Sequence, residues 1–497
     1  MELTTPPLQR FTESSRMRSF ISFLFVPVLS VAAPNQDEFY KREEVPLPAG
    51  EVMEGASIAI IDNQKVAYGT RRGDVWIAEN AFSDDVNKIT WTKFATGLHE
   101  PLGMAYKNGW FHFTQRPDVS KMRDSNGDGR ADEFRTIAAP WGINGDYHEY
   151  AFGTEPDKNG DIWVVLCLTG SFNAHSPWRG WCFRITPDGK AIPTCSGIRS
   201  PGGIGFNLEG DVFYCDNQGV WNGSSSLKHL KPGGFVGNPS GNGFYDQAPN
   251  MGKRPADPKS GSRIETERKR IPELVPPAVW LPHGKLGQSP TGIIPDHTKG
   301  KFGPFAGQVL VGEQTHSQVQ RVFLEKINGV YQGVAFPFLE GFRSGIVPLR
   351  LADDGSLFVG TTNRGWGARG GLPFSFERTR WTGKVPFEIH EMRIKPDGFE
   401  LTFTKEVEPE AAGNKDNYSM KTWTYIYQSG YGSPEVDQTT PEIQSVKVGP
   451  DKKSVRLVVK GLQPGHVHHL KTSNLKSQGG EEQWHTDAYY TVNEIPK

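Results

Sequence analysis

His148 lies in Gly145-Asp146-Tyr147-His148-Glu149-Tyr150, a segment entered through the glycine-rich approach Trp141-Gly142-Ile143-Asn144. An imidazole with carboxylates beside it can be held in one tautomer and take a proton near neutral pH. The same spacing also suits a surface loop flanked by acids. Arg199 follows in Gly197-Ile198-Arg199-Ser200-Pro201-Gly202-Gly203, a turn locked by glycine and proline ahead of a strand. A guanidinium on such a turn offers forked donors to a carboxylate or another electron-rich oxygen; the alternative is a salt bridge that steadies a sheet edge. Asp216-Asn217-Gln218-Gly219 closes the next strand, so Asn217 and Gln218 are candidates to line the same opening. Arg364, in Asn363-Arg364-Gly365-Trp366, and Arg350 are further cationic candidates.

The densest local motif is Asp124-Ser125-Asn126-Gly127-Asp128-Gly129-Arg130-Ala131-Asp132. Oxygen side chains at alternate positions followed by glycine can wrap a hard cation such as Ca²⁺, with Asp124, Asn126, Asp128 and Asp132 as ligands. The loop departs from an EF-hand at its twelfth position, which is Arg135. Its alternative is an Asp/Asn/Gly turn closed by its own hydrogen bonds. His466, His468 and His469 lack an evident acid or cysteine partner and read as a solvated strand end.

These groups need a scaffold of short strands and turns. The chain carries 57 Gly and 37 Pro in 497 residues, which makes long helices improbable. A net charge of −1 argues against a nucleic-acid or anionic-membrane partner, since both demand a basic excess. One phrase recurs, a glycine and a polar residue leading into an apolar strand: Gly73-Asp74-Val75-Trp76, Gly109-Trp110-Phe111, Gly160-Asp161-Ile162-Trp163, Gly210-Asp211-Val212-Phe213, Gly307-Gln308-Val309-Leu310 and Gly355-Ser356-Leu357-Phe358. The glycines stand 36, 51, 50, 97 and 48 residues apart. Such spacing, built from strands and turns, predicts an all-β fold, a six-bladed β-propeller over residues 34–383. The double-length gap leaves room for an insertion or a seventh blade, and its basic run Arg263 to Arg270 reads as a solvated loop. Alternating strands after Gly383 predict a small Ig- or fibronectin-like β-sandwich over 384–497, with Ala411 to Tyr427 its least regular edge.

Arg16 and Arg18 precede an apolar run from Phe20 to Ala32 that ends in small residues, the pattern of a secretory signal over residues 1–33. The run is shorter than the ~20 residues a membrane span requires. The chain is therefore expected to be exported, to the periplasm or the cell exterior. None of Cys167, Cys182, Cys195 and Cys215 forms a C-x-x-C motif, so neither a redox dithiol nor a covalently attached haem is expected. A hairpin turn at Asp188-Gly189 would set 186 against 191, 184 against 193 and Cys182 against Cys195, where a disulfide or two buried thiols would fit equally.

The Arg199 segment resembles the G-x-R-N-P-x-G stretch of soluble quinoprotein glucose dehydrogenases and sorbosone dehydrogenase-like propellers. The His148 segment resembles the one that carries their catalytic histidine. Ser289-Pro290-Thr291-Gly292, Glu325 to Gly333 and Thr362 to Gly367 look like planctomycete and verrucomicrobial exported proteins of the membrane-bound dehydrogenase-like type. Many of those carry a C-terminal haem module that this sequence lacks. The resemblance implies oxidation of a sugar or polyol through bound pyrroloquinoline quinone, with a separate electron acceptor. His148 would be the base, and Arg199 would stabilise charge on the quinone. Asn217, Gln218 and Arg364 would join Arg199 in holding the cofactor. Ser200 stands where the family has Asn, and Gly202 where it has a polar residue. A carbohydrate-binding propeller without chemistry, and a hydrolase of sugar lactones or glycosides, are the alternatives.

Overall fold

Short apolar runs separated by glycine turns pair here into antiparallel sheets of four strands. The computed structural model describes residues 34–497; the expected signal segment lies outside the described residues. Six four-stranded units follow along the chain, spanning residues 55–95, 104–138, 151–196, 201–281, 290–339 and 346–381. The last unit has three strands of its own and is completed by Tyr40–Glu44, which pairs with Phe376–Trp381. First strands pack side by side: Gly55–Ile60 touches both Met104–Lys107 and Ile346–Leu351, and Pro201–Phe206 lies between Ala151–Gly153 and Pro290–Pro295. The protein is all-β, and this layout is that of a β-propeller.

Crowding of the first strands explains the glycine run at 202–205. A Cβ on Gly202 would stand 2.1 Å from the Pro290 carbonyl oxygen, and one on Gly203 2.5 Å from that of Thr291. These glycines serve strand packing.

The recurring phrase enters the second strand of a unit at Gly109, Gly160, Gly210, Gly307 and Gly355. At Gly73 it precedes a third strand, Val75–Glu79, because the second strand there, Val66–Thr70, is entered through Asn63-Gln64-Lys65 without glycine. That phase slip accounts for the short first interval. Among the described residues the double-length gap contains no additional four-stranded sheet; its extra length lies between Ser225–His229 and Pro277–Leu281 of the fourth unit, a stretch that holds 3-10 turns and the short helix Ile264–Arg268. Its basic run is not a solvated loop. Arg263 pairs with Asp437, and Arg268 with Glu494, both in the C-terminal segment.

The hairpin at 188–189 is one residue longer than expected, since Thr186 and Lys190 close the turn. Ile185 therefore faces Ala191, and Phe183 faces Pro193. A bulge between Cys182 and Phe183 then restores the offset, so Cys182 does face Cys195. Both are buried as free thiols, and burial pushes Cys195 up to about 12.

After Trp381, Ile389–Lys395, Gly398–Phe403, Glu442–Val448 and Ser454–Lys460 form one antiparallel sheet. Tyr418–Tyr425, Glu435–Thr439, His466–Thr472 and Asp487–Val492 instead extend the edge of the fifth unit, where Val334 sits opposite Tyr490. Phe399, Leu401, Met420, Leu457, Leu470 and Tyr490 share a buried core between these layers. The interval 411–427, expected to be irregular, thus holds an interior strand whose Tyr418 and Met420 alternate inward. The histidine strand is interior as well. Burial pushes His468 down to about 3, and His469 Nε2 meets Asp487 at 2.7 Å.

Candidate functional site

First strands of the units run in a common sense. The segments that precede them and the loops that follow second strands therefore open on one face. Tyr147 to Tyr150 arrive ahead of Ala151–Gly153, and Ser200 ahead of Pro201–Phe206. Arg71, Asn217, Gln314 and Arg364 to Trp366 arrive from loops after second strands. Together they line a cleft of about 90 Å³ at the centre of the ring.

The His148 imidazole is partly exposed, 5.7 Å from the Trp366 ring and 5.3 Å from that of Tyr147. Its ring nitrogens make no hydrogen bond among the described residues. Asp146 Oδ1 lies 3.7 Å from Nδ1, which is an electrostatic contact and too long for a hydrogen bond. That oxygen instead accepts the amides of His148 and Gly170, both at 2.8 Å. Glu149 is fully buried; it accepts the Asn144 amide at 2.7 Å and the Thr169 hydroxyl at 2.6 Å. The two carboxylates thus fold the loop that presents His148. Burial lowers the imidazole pKa, Asp146 opposes that shift, and Arg199 and Arg116 reinforce it. The net direction is down, so His148 is neutral at pH 7 and able to accept a proton.

Beneath the cleft lies a buried charge network that sequence reading missed. Glu100 receives Arg71 at 2.9 Å through one oxygen and Arg116 at 3.1 Å through the other. Arg71 also donates to the Tyr150 hydroxyl and to the Arg364 carbonyl. Arg116 donates to the carbonyls of Asp146 and Tyr147. The network fixes the backbone just ahead of His148 and the Tyr150 side chain just beyond it. The residue directly after each second strand was the available signal: Arg71, Asn217 and Gln314 all occupy it.

Of the expected site residues, His148, Asn217 and Arg364 line this cleft, whereas Arg199 and Gln218 do not. Arg199 is 3% exposed and donates to the carbonyls of Ser171, Asn217 and Gln218. Its guanidinium lies 5.1 Å from the ring centroid of Tyr431, a residue of the C-terminal segment. Gln218 donates to the Gly223 carbonyl. Arg364 is paired with Glu54 at 3.2 Å. Pyrroloquinoline quinone is a flat polycarboxylate and requires cations with donors to spare. Arg71 and Arg199 are already committed to carboxylates or carbonyls, and Arg364 already has Glu54 as its counter-charge. The cleft is also smaller than the about 300–1,000 Å³ usual for such ligands. The residues present therefore do not fit the quinone as the cleft is built, and no step is derived through it.

The Asp124 loop joins Val119–Arg123 to Glu133–Ala138. Asp124 accepts the amides of Gly127 and Gly129, Asn126 that of Asp128, Asp128 that of Arg130, and Asp132 that of Ser125. Among the described residues no three acidic, histidine or cysteine side chains converge to hold a metal ion. The loop is closed by its own amides. Asp124→Ala is expected to lower the melting temperature slightly, because the acceptor of the Gly127 and Gly129 amides is lost. Thermal melts should show the same loss in chelator and in excess calcium; a loss seen only with calcium would place a cation in the loop.

A family model described as a domain of unknown function (DUF7133) matches residues 63–248. No curated protein sequence matches the chain. Among solved structures, the chain is similar to the PQQ-bound aldose sugar dehydrogenase of Streptomyces coelicolor, at 16% identity and a TM-score of 0.48 over 70% of this chain and 100% of that one. It is similar to a Thermus glucose dehydrogenase-type putative oxidoreductase at 16% identity and a TM-score of 0.47, over 68% of this chain and 99% of that one. A Trichoderma reesei carbohydrate-active enzyme of family AA12 gives 12% identity and a TM-score of 0.48, over 70% and 98% respectively.

Proposed function

We propose that this chain is an exported, six-bladed propeller (residues 34–383) with a C-terminal sandwich module, and that its central cleft binds a sugar or polyol. There His148 takes a proton from a substrate hydroxyl. Proton removal at an anomeric hydroxyl is the half of a sugar dehydrogenation that this chain's own residues supply. One observation carries the reading. An imidazole with both nitrogens unspent faces a cleft walled by Tyr147, Tyr150 and Trp366 and furnished with Ser200, Asn217 and Gln314. Aromatic faces take the apolar face of a sugar ring, and neutral amides and hydroxyls take its hydroxyls. The second reading is carbohydrate binding without chemistry; the committed arginines favour it. The hydrolase alternative receives no support from the shaft below the cleft, whose lining is mostly glycine and apolar residues, with Arg350 at one end and no carboxylate pair.

The deciding experiment titrates the protein with pyrroloquinoline quinone and Ca²⁺, following tryptophan quenching and then dye reduction with a panel of aldoses. Sugar-dependent reduction supports oxidation. Quenching by sugars alone, with no quinone bound at micromolar concentration, leaves the binding reading. Neither response removes both. The aromatic pair beside Arg199 extends the same test. Phe172 and Tyr431 are 46% and 60% exposed, with ring centroids 6.2 Å apart. If a sugar bound in the cleft reaches this pair, Tyr431→Ala weakens binding several-fold, about the 0.5–1.5 kcal/mol an aromatic contact contributes; unchanged affinity would remove the pair from the site.

A further inference from the structure

The larger opening of the ring is on the opposite face, where the segments after first strands emerge. It is a cavity of about 600 Å³, within the range of small-molecule sites. Its walls are apolar, built from Ile60, Phe82, Tyr106, Phe206 and Ile294. Arg350 lies at its floor, where the cavity narrows into the shaft, and borders both spaces.

Arg350 differs from the protein's other enclosed arginines. Arg71 and Arg116 share Glu100, and Arg378 has Glu43 at 2.8 Å. Among the described residues Arg179, Arg199 and Arg321 have no carboxylate partner, but each spends its donors in three hydrogen bonds to carbonyl or amide oxygens at 2.7–3.3 Å. Arg350 has no carboxylate partner among the described residues. It reaches only the carbonyls of Leu349 and Met104, at 3.3 and 3.5 Å, which leaves most of its five donors unspent. A cation held among apolar walls without a counter-charge favours an incoming anion, and a guanidinium fork matches a carboxylate. At the mouth of the cavity stand Asp62, Glu155, Asp353 and Asp354. Asp62 accepts the amides of Gln64 and Lys65, Asp354 binds Ser356, and Asp353 meets His297 at 3.1 Å. Their summed negative charge disfavours polyanions such as phosphate esters. A ligand with a single anionic group on an apolar body satisfies floor, walls and rim together.

We infer that this wide mouth is a second binding site, separate from the His148 cleft, for a monocarboxylate with an apolar body whose carboxylate docks on Arg350. The test uses the purified protein and 2-naphthoate, followed by its fluorescence and by saturation-transfer NMR, with 2-naphthamide and citrate as comparisons. Saturable naphthoate binding is expected, with naphthamide and citrate much weaker. Arg350→Gln is expected to weaken naphthoate by about tenfold or more, the effect of losing hydrogen bonds to a charged group. Glu155→Gln combined with Asp353→Asn should tighten it, and this pair keeps the test available if Arg350→Gln fails to fold. The site is overturned if naphthoate does not saturate, if Arg350→Gln binds it as the parent does, or if neutralising the rim has no effect.

Discussion

Where the titration gives aldose-dependent dye reduction, replacing His148 by alanine is expected to lower it by about 10²–10⁴-fold, the usual contribution of a positioned general base, while sugar binding persists. The imidazole is offered to the cleft with both nitrogens unspent, so its removal deletes a proton acceptor and disturbs no structural bond. Its pKa lies below the usual value of about 6.5 because burial and two arginines outweigh Asp146. The neutral, proton-accepting form therefore dominates above that value. kcat/KM should be level at pH 7 and fall as pH drops through the lowered pKa. Asp146→Asn sharpens the test. The amide oxygen can still accept the backbone amides of His148 and Gly170, but the charge that raises the His148 pKa is gone. The acid limb should then move to lower pH with the plateau retained. A His148→Ala protein that turns over like the parent, or an Asp146→Asn limb that stays in place, would assign His148 to structure alone.

Much of this arrangement was legible in residue spacing, and where it was not the causes are specific. Glycine phrases located the second strands because each such turn closes on a residue at positive φ, as at Gly160 and Gly210. The phrase at Gly73 was one strand out of phase, since Asn63-Gln64-Lys65 makes the preceding turn without glycine. Cys182 and Cys195 were placed opposite each other although the turn was misjudged; a bulge that no local pattern announces cancelled the error. Arg199 stands out in sequence because it sits in a rigid turn, yet the rigidity serves its own bonds to three carbonyls. The Arg71–Glu100–Arg116 network joins residues from separate turns, and Tyr431 reaches Arg199 from the far end of the chain. Contacts of that range leave no periodicity to read. Local geometry was accessible, and long-range partnership was not.

The partnership with the largest stability effect holds the turn beneath the cleft. Lys228 and Asp216 form an ion pair at 3.0 Å, with side chains 2% and 0% exposed. Asp216 also accepts the Ser200 amide at 2.9 Å and the Tyr214 hydroxyl at 3.0 Å, while Lys228 donates to the Val236 carbonyl. Removing one partner strands a charge in a region without water, whereas removing both leaves only a packing defect. Lys228→Met is therefore expected to cost about 3–5 kcal/mol in urea unfolding. Lys228→Met with Asp216→Asn should cost less than Lys228→Met alone, because the buried carboxylate is no longer ionised. The functional consequence follows from the Ser200 amide. With Asp216 left ionised and unpaired, the carboxylate that anchors the Ser200 amide is drawn toward solvent, and sugar binding should weaken in the single variant and partly recover in the double. Should the double variant prove as unstable as the sum of its parts, the pair would be acting through packing and not through charge.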